Sequence, residues 1–355
     1  MILRELRELA GMKQEALGEL AGVTRQTIAA WERGERQPSM QQVVKLCQIL
    51  HVPIDVMLGT GNVTEPVLLF RADAAETLSP ALKRLLTRKA CDYAEIEKLA
   101  GALPNLPVSR PLDAFDQHIV EQVANEVRDW LGVEDAPLGD VLSLLETKGL
   151  KVFLYQLPDA VSGFSAYTEE VGGVIFVNST HRTERQYFTA LHELSHLIFH
   201  RREYQTPTAM HQKPGKTDPR EQAANYLAGA VILPRNIVEA ELYAYRNRWL
   251  PYSLLADIKI RYSVSMRTIL VRAAQLDIIS SRQSFQQIAK INEKYGKVNE
   301  AVDLKPPGSL RRLDRLVYQA LIQEKITTSK AAEVLGEPVH AVRTELAKWL
   351  SEEPS

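Results

Sequence analysis

The stretch Ala190-Leu-His-Glu-Leu-Ser-His-Leu-Ile-Phe-His200 constrains this chain more than any other, because it holds His192-Glu193-x-x-His196. On a helix, residues four apart share one face, so both imidazoles can reach a single metal ion. Glu193 is turned by about one hundred degrees around the axis. It can stand beside a water at the metal without being a ligand. The flanks favour a buried helix, since Leu191, Leu194, Leu197 and Ile198 form an apolar stripe.

Two histidines and a glutamate are the parts that zinc peptidases use, with a third ligand from elsewhere and the glutamate as general base. His200 lies four residues beyond His196, but about 12 Å of helix rise separates it from His192. Ligands about 2.1 Å from one zinc cannot span that. The metzincin spacing fails as well, with Phe199 and Arg202 where Gly and His belong. Glu221 is the better candidate. Asp218 and Pro219 form a helix start, an N-cap followed by an N1 proline. Ala224, Leu227, Ala228, Val231 and Ile232 give that helix a buried face of small and aliphatic residues, which permits close approach to the first. Glu221 sits in its first turn. Asn225, one turn on, can accept a hydrogen bond from a ligating histidine and fix its tautomer.

Glu184-Arg-Gln-Tyr-Phe-Thr-Ala-Leu-His-Glu-Leu-Ser-His196, Glu221-x-x-Ala-Asn225 and Leu233-Pro234 resemble the ImmA/IrrE family of metallopeptidase-like proteins. The likeness extends upstream through Gly163–Tyr167 and Gly172–Asn178, and covers roughly residues 113–280. Tyr187 stands where Arg is common, and Leu191 and Ser195 where Ala and Gly are common; these departures bear on packing and leave the ligand positions intact. The resemblance implies zinc held by His192, His196 and Glu221, with Glu193 as the catalytic base.

The first sixty residues read as short helices at Leu3–Leu9, Gln14–Ala21, Arg25–Arg33, Met40–Leu50 and Ile54–Leu58, punctuated by Gly11, Gly22, Gly34, Pro38 and Pro53. Ala21-Gly-Val-Thr24 is a tight turn between two of them, a helix-turn-helix. Lys13-Gln-Glu-Ala-Leu17, Gly22–Gly34 and Pro38-Ser39 resemble the XRE family of phage-repressor-like DNA-binding proteins. The resemblance implies that the second helix of the pair enters the major groove of a double-stranded operator. Arg25, Gln26 and Thr27 would reach base edges and Gln14 a phosphate, while Ile28 and Trp31 face the core and Glu32 is structural. Seven basic and seven acidic side chains leave these sixty residues with no net charge.

The whole chain of 355 residues carries a net charge of -1, so any contact with nucleic acid must come from a local face. Two cysteines, Cys47 and Cys91, are too few for a disulfide framework and fit a reducing cytoplasm. The N-terminus mixes charges as no signal peptide does, and no apolar run is long enough for a membrane. Leu78–Leu103 is a long amphipathic helix, read as a spacer or dimer contact. Helices are expected near 113–131 and 138–148, then strands at 151–156, 163–168 and 174–178, with an edge strand open to a peptide by β-augmentation. Thr328–His340 has the outline of a second helix-turn-helix, but its mixed charge favours a packing or interaction element.

The expected fold is mainly α with a small β-sheet (α+β). It comprises a five-helix DNA-binding domain (1–60), a helical linker (61–112), a zincin-like metallopeptidase domain (113–280) and a helical C-terminal region (281–355). The expected function is a cytoplasmic, homodimeric transcription regulator with a zinc endopeptidase that cuts a regulatory protein such as a repressor. The rival is a non-catalytic antitoxin and autorepressor whose metal domain binds a toxin. Four candidates for an oxyanion partner stay open: His181, Tyr204, His211 and Tyr226.

Overall fold

The computed structural model describes residues 2–50, 52, 54–58, 69–70, 78–102, 104–112, 114–205 and 218–351. Five helices open the chain: α1 (Leu3–Leu9), α2 (Gln14–Ala21), α3 (Arg25–Glu32), α4 (Met40–Leu50) and α5 (Ile54–Leu58). Their cores are local and apolar, with Leu17, Ile28, Trp31 and Leu46 buried together. Thr24 caps α3 by accepting from the Thr27 amide at 3.2 Å. Inside, Arg7 Nε meets Glu32 Oε1 at 2.5 Å, so Glu32 is a strut of the domain. The exit segment Thr60–Pro66 lies outside the described residues.

After the short strand β1 (Leu69–Phe70) comes α6 (Pro80–Ala100), started by Ser79, whose hydroxyl accepts from the Leu82 amide. Next are α7 (Gln117–Leu131), α8 (Val141–Thr147), β2 (Lys151–Tyr155), β3 (Gly163–Thr168), β4 (Gly172–Asn178) and α9 (Thr183–Phe199). The sheet order is β1-β3-β4-β2, with β3 antiparallel to β4 and to β1, and β2 parallel to β4. Every residue of β4 is buried, because both faces of this central strand are covered. Val174 and Phe176 pack with Leu82, Leu86 and Ala90 of α6, whereas Ile175 and Val177 pack with Leu191, Leu194 and Ile198 of α9.

Two differences from the sequence reading follow. The long helix α6 is more than a spacer: its stripe forms one of the two layers over the sheet, because Phe164, Ala166 and Phe176 would otherwise face water. And the edge of β3 is partly taken: among the described residues, β1 pairs with it at Tyr167 and Ala166.

The remaining helices are α10 (Pro219–Ile232), α11 (Arg235–Leu242), α12 (Tyr252–Tyr262), α13 (Met266–Gln275), α14 (Ser281–Tyr295), α15 (Arg312–Ile322), α16 (Thr328–Leu335) and α17 (Val339–Leu350). α10 buries Ala223, Ala224, Leu227, Ala228, Ala230 and Val231, and the small residues among them bring it close against α9. Ser195, fully buried on α9, donates to the Leu191 carbonyl at 2.8 Å and to the Ala224 carbonyl of α10 at 3.4 Å. It thus adds a polar tie where two helices press together. The far end of α10 is fixed by the buried Arg272, which donates to the Leu233 carbonyl and to both oxygens of Glu121.

Candidate metal centre and nucleic-acid interface

α9 carries the His192–His196 face and α10 presents Glu221 to it. The Nε2 atoms of His192 and His196 lie 3.1 Å apart. Glu221 Oε2 is 3.3 Å from the first and Oε1 is 3.4 Å from the second. Among the described residues these three form a cluster whose ligand atoms all fall within 4.8 Å of one another. Ligands about 2.1 Å from a tetrahedral zinc stand about 3.4 Å apart, so the donor set and its spacing fit that ion. The site is graded in exposure, with the side chains of His192, Glu221 and His196 at 16%, 23% and 1%. Solvent therefore reaches it from the His192 and Glu221 side.

The far nitrogens of both imidazoles are held. Asn225 Oδ1 sits 3.1 Å from His192 Nδ1, an arrangement in which Nδ1–H donates and leaves Nε2 with a bare lone pair. His196 Nδ1 meets His200 Nδ1 at 2.9 Å. His200, too far along the helix to join His192 on one ion, is instead the orienting partner of His196. Its spacing of four residues carried that signal, because the same helical geometry that pairs His192 with His196 pairs His196 with His200.

Glu193 is almost buried, and its Oε2 accepts from Ser165 Oγ at 2.6 Å. Ser165 in turn lies 2.7 Å from the Tyr204 hydroxyl. Strand alternation explains the placement: Phe164 and Ala166 turn towards α6, so Ser165 points at α9. β3 can come this near because Gly163 has no side chain; a Cβ there would stand 2.5 Å from Thr189 Cγ2 of α9. Sequence reasoning missed Ser165, since the alternation gives two faces but not which helix covers which.

The oxyanion candidates separate. Tyr204 is drawn into the Ser165–Glu193 chain. Tyr226 is spent elsewhere: it donates to Glu121 at 2.7 Å under the Arg272 guanidinium, and burial pushes its hydroxyl up to about 12. His181 is half-buried, and burial with the neighbouring Arg185 lowers its imidazole from the usual range. His211 lies outside the described residues.

On the N-terminal domain, Arg25 and Gln26 are exposed in the first turn of α3. Thr27 is half-buried, its hydroxyl 2.9 Å from that of Thr24. Gln14 Nε2 donates to Glu32 Oε2 at 2.7 Å, so one of its two amide hydrogens belongs to the domain's own strut.

A family model described as helix-turn-helix matches residues 3–57. The HTH-type transcriptional regulator YgzD of Bacillus subtilis (strain 168) is 43% identical over 53 residues, which are 15% of this chain and 80% of that protein. The chain belongs to the helix-turn-helix family of XRE type. A second model, described as IrrE N-terminal-like domain, matches residues 145–274, so this regulator joins a DNA-binding domain to a metallopeptidase-like one. That family, with the three-residue cluster, points to a metal. An HTH-type transcriptional regulator of Sinorhizobium medicae (strain WSM419) is 35% identical over 68 residues, 18% of this chain; the chain spans about half, 49%, of that relative. Among solved structures, a Mycobacterium tuberculosis transcriptional regulator aligns at 16% identity and a TM-score of 0.32, over 52% of this chain and 51% of that one. No described helix of the XRE protein is long and apolar enough to cross a membrane.

Proposed function

We propose that this XRE regulator carries a zinc-dependent endopeptidase that cuts a regulatory protein, such as a repressor, in the cytoplasm. The observation that carries this reading is the meeting of His192, His196 and Glu221 at 3.1–3.4 Å beside the hydrogen-bonded Glu193. Zinc in that cluster would polarise a peptide carbonyl and make water more acidic. His192, His196 and Glu221 are assigned as its ligands. Asn225 and His200 keep the two imidazoles oriented. Glu193 takes the attacking water's proton and returns it to the leaving amine. Ser165 holds one of its oxygens, fixing the carboxylate for the transfer. An extended substrate is assigned to the edge of this sheet by β-augmentation.

The test is metal content and cleavage together. Purified full chain should hold about one zinc, as three protein ligands with an open fourth position imply. It should cleave a helix-turn-helix repressor of its own host on incubation. His196→Ala and Glu221→Ala should both lose the metal. Stoichiometric zinc held by Glu221→Ala as tightly as by the unaltered chain would overturn the ligand assignment.

The DNA-binding half is assigned a palindromic operator, bound as a homodimer with half-sites about one helical turn apart. Arg25 suits guanine, Gln26 suits adenine, and Thr27 completes the reading turn. Gln14, through its second amide hydrogen, is assigned to a phosphate. Arg25→Ala and Gln26→Ala should each cost about 1–3 kcal/mol and relax sequence preference, whereas Gln14→Ala should weaken all sequences alike. Equilibrium binding to operator and scrambled duplexes measures both effects. Equal losses on the two duplexes for Arg25→Ala would remove it from base reading.

A further inference from the structure

The C-terminal helices α16 and α17 match α2 and α3 in spacing and in the way the first helix ends. Residues 14–28 and 328–342 align without a gap. Both first helices have eight residues and end in a left-handed glycine, Gly22 at φ 74 and Gly336 at φ 70. Both ends close with the pair of bonds that also ends helices at Gly101 and Gly132. The Gly22 amide donates to Glu19 and the Val23 amide to Gly18, at 3.2 and 2.9 Å. The Gly336 amide donates to Glu333 and the Glu337 amide to Ala332, at 3.3 and 3.0 Å. At the crossing stands a small residue in each: Gly18, whose absent Cβ would lie 2.8 Å from the Val23 carbonyl, and Ala332. The inward anchors correspond too, since Leu17 and Ile28 match Ala331 and Val342, all fully buried. Matching helix lengths, turn spacing and buried anchors give this segment the outline of a helix-turn-helix.

We propose that α16–α17 is a second DNA-reading unit, with α17 as its major-groove helix. The unit is mounted so that α17 faces outward. α15 and α16 pack on α6 through Leu316, Val317, Ala331 and Val334 against Tyr93 and Ile96. Lys330 Nζ reaches Asp92 at 3.0 Å, and Arg88 reaches Glu333 at 3.2 Å. α17 is held from behind by Val342 and by Trp349 stacked on Tyr318 at 5.3 Å. Its outer face exposes Val339, His340, Arg343, Thr344 and Lys348. Arg343 suits guanine O6 and N7, His340 offers donor and acceptor, and Val339 suits a thymine methyl. The balanced charge of this unit is no objection, because the N-terminal domain, which matches the helix-turn-helix family, carries seven basic and seven acidic side chains as well.

The mounting supplies a reason for two units. Ala81 and Leu85, near the start of the same helix α6, belong to the core of the N-terminal domain. The two units therefore grip one rigid helix at points roughly 17 Å apart, at 1.5 Å of rise per residue. Two reading units on one helix let one chain engage two DNA segments.

The experiment is selection of random-sequence duplexes, several helical turns long, by the full chain and by two variants. The unaltered chain should select two sequence blocks. Arg25→Ala should blur one of them. The double variant His340→Ala, Arg343→Ala should blur the other and weaken binding to the selected duplex about ten- to hundred-fold, while melting like the unaltered chain. Both substituted side chains are exposed, so the fold is not at stake. A single block shared by the unaltered chain and the double variant, with unchanged affinity, would overturn the assignment.

Discussion

Glu193→Gln is expected to abolish proteolysis while leaving metal content and melting behaviour unchanged. Glu193 is not among the three residues whose ligand atoms converge, so its charge is not needed to hold zinc. Glutamine has the same shape, and its amide oxygen can still accept from Ser165, now 2.6 Å from Glu193 Oε2. What is lost is the ability to take a proton from water. General-base catalysis is worth about 10²–10⁴-fold, so the residual rate should be at or below about one percent. Ser165→Ala is a milder version, since it removes the positioning bond and keeps the base. Single-turnover cleavage of a host repressor, with zinc measured on the same sample, reads both. In the cell, Glu193→Gln should behave like a deletion for the genes this regulator controls. An antitoxin or plain repressor would need no base, so its Glu193→Gln strain would match the unaltered one. That outcome under every stress tried would end the peptidase reading.

The features legible in the sequence are those whose causes are local. Asp218-Pro219 starts α10 because an N-cap and an N1 proline act within one turn. Thr24 and Gly22 set the ends of α3 and α2 in the same way. The His192–His196 pairing follows from helical periodicity alone. Glu221 was reachable because its helix had to lie against α9, and a run of small residues announced that closeness. Ser165 and α6 were not legible for one reason: both depend on which element covers which face of a sheet. Nothing near residue 165 in sequence tells that Glu193 lies opposite. Nothing in the stripe of α6 distinguishes a partner sheet from a partner subunit. The second helix-turn-helix was visible in outline, but its composition argued against a DNA-reading role. The gapless spacing and the four buried anchors carry the comparison, since bonds like those at Gly22 and Gly336 also close helices at Gly101 and Gly132.

Glu97→Ala is expected to be the most destabilising single change, for reasons that no local pattern reveals. Glu97 on α6, Lys151 on β2 and Arg312 on α15 are buried together, exposed by 1%, 0% and 8%. Lys151 Nζ lies 2.5 Å from Glu97 Oε2, and Arg312 also bonds Glu97. Arg312 donates to the Tyr93 hydroxyl at 3.2 Å, and its amide donates to Glu146 at 3.0 Å. Burial pushes Lys151 below the usual lysine range and Glu146 above the usual carboxylate range, so this pocket penalises any charge left alone. Removing Glu97 leaves two cations facing each other without their shared carboxylate, which costs about 3–5 kcal/mol. A ceiling comes from Lys151 shedding its proton: neutralising a lysine at pH 7 costs about 1.36 kcal/mol for each of roughly 3.4 units, near 4–5 kcal/mol. That escape fixes the sign of the pH dependence. In the variant the unfolded chain binds a proton at Lys151 that the folded chain does not, so stability rises with pH until the ordinary lysine value near 10.4. Urea unfolding of Glu97→Ala should therefore show a larger deficit at pH 7 than at pH 9, and hydrogen exchange should rise first in residues 312–350, which Arg312 ties to α6. A deficit below about 0.5 kcal/mol, the range of an ordinary surface change, would mean that the three charges do not act as one unit.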